Sequence, residues 1–135
     1  MRRKIYLSSM FERHEEMDRI AVELCSKGHE VTSRWHTDGW IKMCQSGNNG
    51  IDDSVIARVD IADMSYADTM IIFTEPRGTH GNVRGGRHVE FGMAVERSFT
   101  RKMSIIRVGP AENVFHHMDV FEKIFATTED MLQWI

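Results

Sequence analysis

The chain has 135 residues, with 17 Lys plus Arg against 20 Asp plus Glu, a formal charge of −3, and 41% hydrophobic residues. That length predicts one domain, 1–135, with a radius of gyration of about 14 Å and a core that needs no staple. The balance excludes a disordered chain and a binder of nucleic-acid polymer that works by bulk positive charge.

Residues 4–7 (KIYL) predict a short strand that ends at Ser8-Ser9. Residues 11–27 form an amphipathic helix, with Met17, Ile20, Ala21, Leu24 and Cys25 recurring at three- and four-residue steps and Gly28 closing it. Residues 29–34 predict a weaker strand. Residues 35–50 are polar, lack a period and read as a long loop of the kind that commonly carries function. Helical spacing returns over 51–64 through Ile51, Val55, Val59 and Ala62. Residues 69–75 (TMIIFTE) predict a strand covered on both faces. A Gly-rich loop over 76–86 leads into a helix over 87–98, and 102–108 (KMSIIRV) predicts another buried strand. A short helical turn over 113–118, a strand over 123–126 and a helix over 128–135 with Thr128 as N-cap complete the chain.

This alternation predicts a single α/β domain: a five-stranded, mostly parallel open sheet with helices on both faces, of the flavodoxin or Rossmann-like kind. Ligands of such sheets sit at the carboxyl ends of the strands, which directs the search to residues 8–11, 75–90 and 109–117. Cys25 and Cys44 form neither a C-x-x-C pair nor a zinc spacing. The N-terminus lacks the apolar stretch of a signal peptide, and no window approaches the ~18 apolar residues of a membrane span. A cytoplasmic protein with no membrane partner is the expectation.

The densest chemistry lies in Arg84-Gly85-Gly86-Arg87-His88-Val89-Glu90-Phe91-Gly92. Paired glycines at a strand-to-helix junction allow close backbone approach to a ligand, and a helix start favours anions. The segment is neither a Walker A loop nor G-x-G-x-x-G. It also fits a plain tight turn into a helix. Glu90 shares a helix face with Gly86, Met93 and Ala94, which turns it toward packed structure. Near a helix N-terminus a carboxylate is favoured in its ionised form, as a nucleophile requires. Asp60, within the preceding helix, could partner it, because two carboxylates can divide nucleophilic and proton-transfer roles at an anomeric carbon. Its place among Asp52, Asp53 and Asp63 fits a solvated acidic face equally. The seven histidines show no metal-ligand spacing. His80 and His88 bracket the Gly-rich loop and suit contact with a phosphate or base, while Ser8, Ser9 and Asn113 also fit turns and caps.

The opening KIYLSS, Asp60 eight residues before Asp68, the strand TMIIFTE and the run GGRHVEFGMAV together resemble the nucleoside 2-deoxyribosyltransferase family, with its related nucleoside 5′-monophosphate N-glycosidases. The resemblance spans roughly residues 4–118. It implies cleavage of the N-glycosidic bond of a (2′-deoxy)nucleoside or its 5′-monophosphate, without metal or organic cofactor. Glu90 would be the nucleophile, with Asp60 orienting the sugar and managing protons. It further implies that Phe11 packs by the base, that Ser8 and Ser9 approach sugar or phosphate, and that the chain is a homo-oligomer with a shared active site. Asn113 to His117 is then the segment that reaches the neighbouring subunit. At the position of Arg84 transferases commonly carry an Asp; a cation there, with Arg87 and His88 beside Gly85 and Gly86, fits an anionic substrate. A non-catalytic nucleotide-binding module and an NAD or ADP-ribose glycohydrolase are the alternatives on the same fold.

Overall fold

The computed structural model describes residues 1–46, 50–78, 85–100 and 102–135. Among these, five strands form one sheet in the order β2-β1-β3-β4-β5, with β1 Lys4–Ser8, β2 Glu30–Val31, β3 Thr69–Phe73, β4 Ser104–Val108 and β5 Lys123–Phe125. The alternation predicts a mostly parallel sheet, and every described pairing is parallel. β3 is buried at all five positions, as its unbroken apolar run requires.

Alternate strand residues feed two cores. On one face Ile5, Leu7, Ile71, Phe73 and Ile106 pack against Met17, Ile20 and Leu24 of α1 (His14–Ser26) and Met131 and Leu132 of α5 (Thr128–Trp134). On the other, Tyr6, Met70, Ile72 and Ile105 meet Met64 of α3 (Asp53–Tyr66) and Phe91 and Ala94 of α4 (Gly86–Ser98). Each fully buried aliphatic side chain stabilises the fold by roughly 1.5–3 kcal/mol, so this sandwich explains why the short chain holds together.

Several boundaries shift for local reasons. The first helix begins as a 3-10 turn over Phe11–Arg13 and becomes α-helical at His14. Residues 35–50 do not form one long loop, because α2 spans Asp38–Gln45. Its signal is short: Trp40, Ile41 and Cys44 share one side, while Asp38 and Lys42 pair across a turn at 2.9 Å. Asp52 caps α3, its side chain accepting from the backbone N–H groups of Ser54 and Val55 at 2.9 and 3.0 Å. The cap of α5 is Thr127, whose hydroxyl accepts from Asp130 N–H at 3.2 Å, rather than Thr128. Cys25 is exposed, Cys44 half-buried, and both are free thiols. No helix among the described residues is long and apolar enough to cross a membrane.

At the carboxyl edge of the sheet β4 leaves through Gly109, at φ 113°. A Cβ there would lie 2.6 Å from Thr74 Oγ1 and 2.9 Å from the Thr74 carbonyl oxygen, so the backbone passes where only glycine fits. Strand order reverses between β1 and β3, and the crevice outside their carboxyl ends is where such sheets place a ligand.

Candidate active site

A cavity of about 630 Å³ opens at that crevice, within the range of small-molecule sites. Its walls come from the end of β1 (Ser9, Phe11), from α2 (Trp40, Cys44), from Asp60 of α3 and from Glu90 of α4.

Glu90 is held from the sheet. Tyr6 and Ser8 lie two apart on β1, so both hydroxyls leave the same face toward α4. Ser8 Oγ donates to Glu90 Oε1 at 2.9 Å, and the Tyr6 phenol donates to Oε2. Burial pushes the Glu90 carboxyl up to about 7; the two hydroxyl donors pull it down, and the Asp60 charge adds to the rise. Burial therefore outweighs the favourable helix start that the sequence suggests. Tyr6 is itself raised, first by burial and then by the Glu90 charge, and so stays a donor.

Asp60 faces the same cavity rather than a solvated acidic surface. Its Oδ1 is buried and meets no hydrogen-bond partner among the described residues. Burial pushes this carboxyl up to about 6, the Asp63 charge reinforces the rise, and Arg34 opposes it.

Of the basic residues expected to favour an anionic substrate, Arg87 and His88 are described, and both have neighbours within the fold. Arg87 touches the cavity, yet its guanidinium is paired with Glu112 at 2.7 Å through Nη2 and 3.3 Å through Nε. Glu112 also accepts from Glu75 N–H at 3.1 Å, and Glu75 accepts from Arg13 at 2.8 Å. Arg87 thus belongs to a series of two ion pairs joined by a backbone hydrogen bond that ties α4 to the segments after β3 and β4, and its charge is already matched. His88 is held below its ordinary value by burial and by Arg87. The Asn113 amide lies 3.4 Å from His88 Nδ1, while Asn113 Oδ1 caps the turn Val114–His117 by accepting from Phe115 N–H at 3.0 Å. Arg84 and His80 lie outside the described residues.

Of the remaining expected residues, Ser9 sits in the cavity wall with its hydroxyl donating to the Met10 carbonyl at 2.9 Å. Gly85, at φ 75°, opens α4 from the left-handed region, and it and Gly86 line the cavity. The Phe11 ring stacks on His14 at 4.9 Å and tilts toward Trp35 at 6.4 Å. Trp35 is fixed by its indole N–H donating to the Leu7 carbonyl at 2.7 Å.

Sequence reasoning passed over Tyr6, Trp35 and Trp40. For Tyr6 a signal existed, since a phenol two residues before a serine in an apolar strand puts two hydroxyls on one face. Trp40 depended on recognising α2. Among the described residues no group of three or more His, Cys, Asp or Glu side chains is arranged to hold a metal ion. The arrangement instead offers a hydrogen-bonded carboxylate, a second carboxyl that takes up a proton near neutrality, and flat aromatic walls.

No protein-family model matches the chain. No curated protein matches it either. Among solved structures, the CMP N-glycosidase BcmB of Clostridium botulinum is similar at 21% identity, with a TM-score of 0.57 over 99% of this chain and 97% of that one. A 2-deoxyribosyltransferase of the psychrotolerant bacterium Bacillus psychrosaccharolyticus is similar at 18% identity, with a TM-score of 0.65 over 98% of this chain and 92% of that one. Likeness at this level of identity establishes the shared α/β fold.

Proposed function

We propose that this chain is a single-domain enzyme that cleaves the N-glycosidic bond of a (2′-deoxy)nucleoside or its 5′-monophosphate, through a glycosyl-enzyme on Glu90. The observation that carries this reading is the Glu90 carboxylate, oriented by Tyr6 and Ser8 toward a cavity that also holds Asp60 and the Phe11 ring. The fold shared with a CMP N-glycosidase and a 2-deoxyribosyltransferase supports it.

In this scheme the base lies against Phe11 and Trp35, and a Glu90 oxygen attacks the anomeric carbon. The C–N bond breaks, its electron pair leaves with the base, and the base takes a proton supplied by Asp60 or by solvent. A glycosyl ester of Glu90 results. Water then attacks the same carbon in the hydrolase, or a ring nitrogen of a second base in the transferase, giving its proton to the Asp60 carboxylate or to solvent as the Glu90 carboxylate departs with its electron pair. Tyr6 and Ser8 stabilise that departing carboxylate by the same hydrogen bonds. Every electron pair is handled by carboxylate, base or water, so the scheme calls for no cofactor.

Arg84, Gly85, Gly86, Arg87 and His88 form the segment that would meet a 5′-phosphate. Because Arg87 is matched by Glu112, the backbone of Gly85 and Gly86 and the Arg84 side chain are the groups this reading relies on. The same reading takes the chain as a homo-oligomer in which residues 113–117 approach a neighbour's site, supported by the exposed Val114 and Phe115 side chains. Sedimentation velocity of the purified chain tests that part, and a monomer at all concentrations would overturn it.

The decisive experiment is chromatography of free base released from deoxynucleosides, ribonucleosides and their 5′-monophosphates, with and without an acceptor base. Release is expected, and Glu90→Gln should reduce it by roughly 10³-fold or more. Wild-type release by that variant would remove Glu90 as nucleophile. Saturable binding with intact ligand would point to a binding module, and nicotinamide release from NAD to an NAD glycohydrolase.

A further inference from the structure

The proton inventory of the cavity leads to a pair of side chains outside it. Asp63 lies one helical turn after Asp60 on α3 and is buried, with 3% exposure. Arg34, just past the end of β2, grips it with its backbone N–H at 3.2 Å, Nε at 3.0 Å and Nη2 at 2.8 Å. The Trp40 ring of α2, itself part of the cavity wall, lies 5.8 Å from the guanidinium. Neither Asp63 nor Arg34 lines the cavity, and the reaction scheme uses neither.

We infer that the Arg34–Asp63 ion pair is a positioning device that decides whether Asp60 meets the substrate with its proton or without it. The inference rests on the proposed role of Asp60. Asp60 has a buried oxygen without a partner among the described residues, so the rise that burial imposes is adjusted by surrounding charges rather than by direct donors. Those facing it are Glu90 on α4, the Tyr6 phenol on β1, the Cys44 thiol on α2, and the Arg34–Asp63 pair. The two members of the pair act in opposite senses: Asp63 favours the protonated carboxyl and Arg34 the ionised one. Fixed to each other, they apply a constant bias, and Asp63 is the nearer charge along the chain.

Opposite senses make the inference testable without catalysis. In the full-length protein labelled with ¹³C at aspartate side chains, the Asp60 carboxyl resonance is identified by its absence in Asp60→Asn and followed through a pH titration. Asp63→Asn should lower the Asp60 midpoint and Arg34→Gln should raise it, each by about half a pH unit or more. Arg34→Lys, which keeps the charge but loses the two-pronged grip, should stay near wild type. A purely structural role predicts otherwise, since breaking either side of the pair would disturb Asp60 alike. Shifts of the same sign in Asp63→Asn and Arg34→Gln, no shift in either, or equal shifts in Arg34→Lys and Arg34→Gln would overturn the inference. Where Asp63→Asn fails to fold, the two Arg34 variants decide it. Failure of the functional reading shows separately, as absence of base release by the wild-type protein from every nucleoside and 5′-monophosphate, which the titrations do not affect.

Discussion

At Glu90 burial and hydrogen bonding pull one proton in opposite directions, and burial prevails. The folded carboxyl releases its proton near about 7, against an ordinary 4.5 in the unfolded chain. Between those values the native state binds more protons than the unfolded state. The resulting stabilisation is complete below about pH 4.5 and lost as pH rises through about 7, to an extent on the order of 2–3 kcal/mol. Glu90→Gln, which keeps the shape and removes the charge, should therefore melt close to wild type at pH 4.5 and roughly 3–8 °C higher at pH 8. Scanning calorimetry at the two pH values checks this, and equal differences at both would contradict it. The same burial should make activity depend on a proton lost near pH 7, because the proposed nucleophile must be ionised. If Asp60, raised to about 6, acts as the acid, the productive form with Glu90 ionised and Asp60 protonated is a minor one, and activity should climb to about pH 6 and fall above about pH 7. The pair senses each other's charge, so the limbs belong to both carboxyls together. Asp60→Asn should remove the falling limb and leave a single rise set by Glu90 alone, readable in the pH profile of base release.

Elements differed in how plainly the chain announced them. β3 was legible because it is buried at all five positions and so must be apolar through its centre, and β4 from its buried Ile105, Ile106 and Val108. α1 was legible from its periodic apolar side, and Glu90 from its placement among small apolar neighbours on α4. α2 was not, since it buries none of its residues and so carries no core stripe. The pairing of Arg87 was hidden for a related reason: its partner Glu112 arrives from after β4, a contact that no local spacing records. Two predictions belong to this scale. Gly109→Ala would force a Cβ against Thr74 in a left-handed conformation, so it should lower stability by roughly 2 kcal/mol or more, measured by urea denaturation. Trp40→Ala removes a cavity wall that supports no core packing, so KM should rise several-fold while the melting temperature moves by no more than about 2 °C. A fall of several degrees would show that α2 is part of the folded core after all.

Over the whole molecule, the two cores share one sheet, and every strand of the central trio contributes to both. Neither core can dissolve without exposing the other's strands, so unfolding should be a single event. Tryptophan fluorescence and far-UV circular dichroism should report coincident denaturation midpoints, and separated midpoints would divide the chain into independent units. The sheet thus holds Tyr6, Ser8 and the root of the cavity rigid, while α2 leans over the opening. That division has a consequence for descent. Mutations in α2 would reshape one wall of the cavity without testing the integrity of the fold, so a lineage could change which ligand the cavity admits by changing one short helix. The mount of Glu90 on β1 and α4, woven into the core, offers no such latitude.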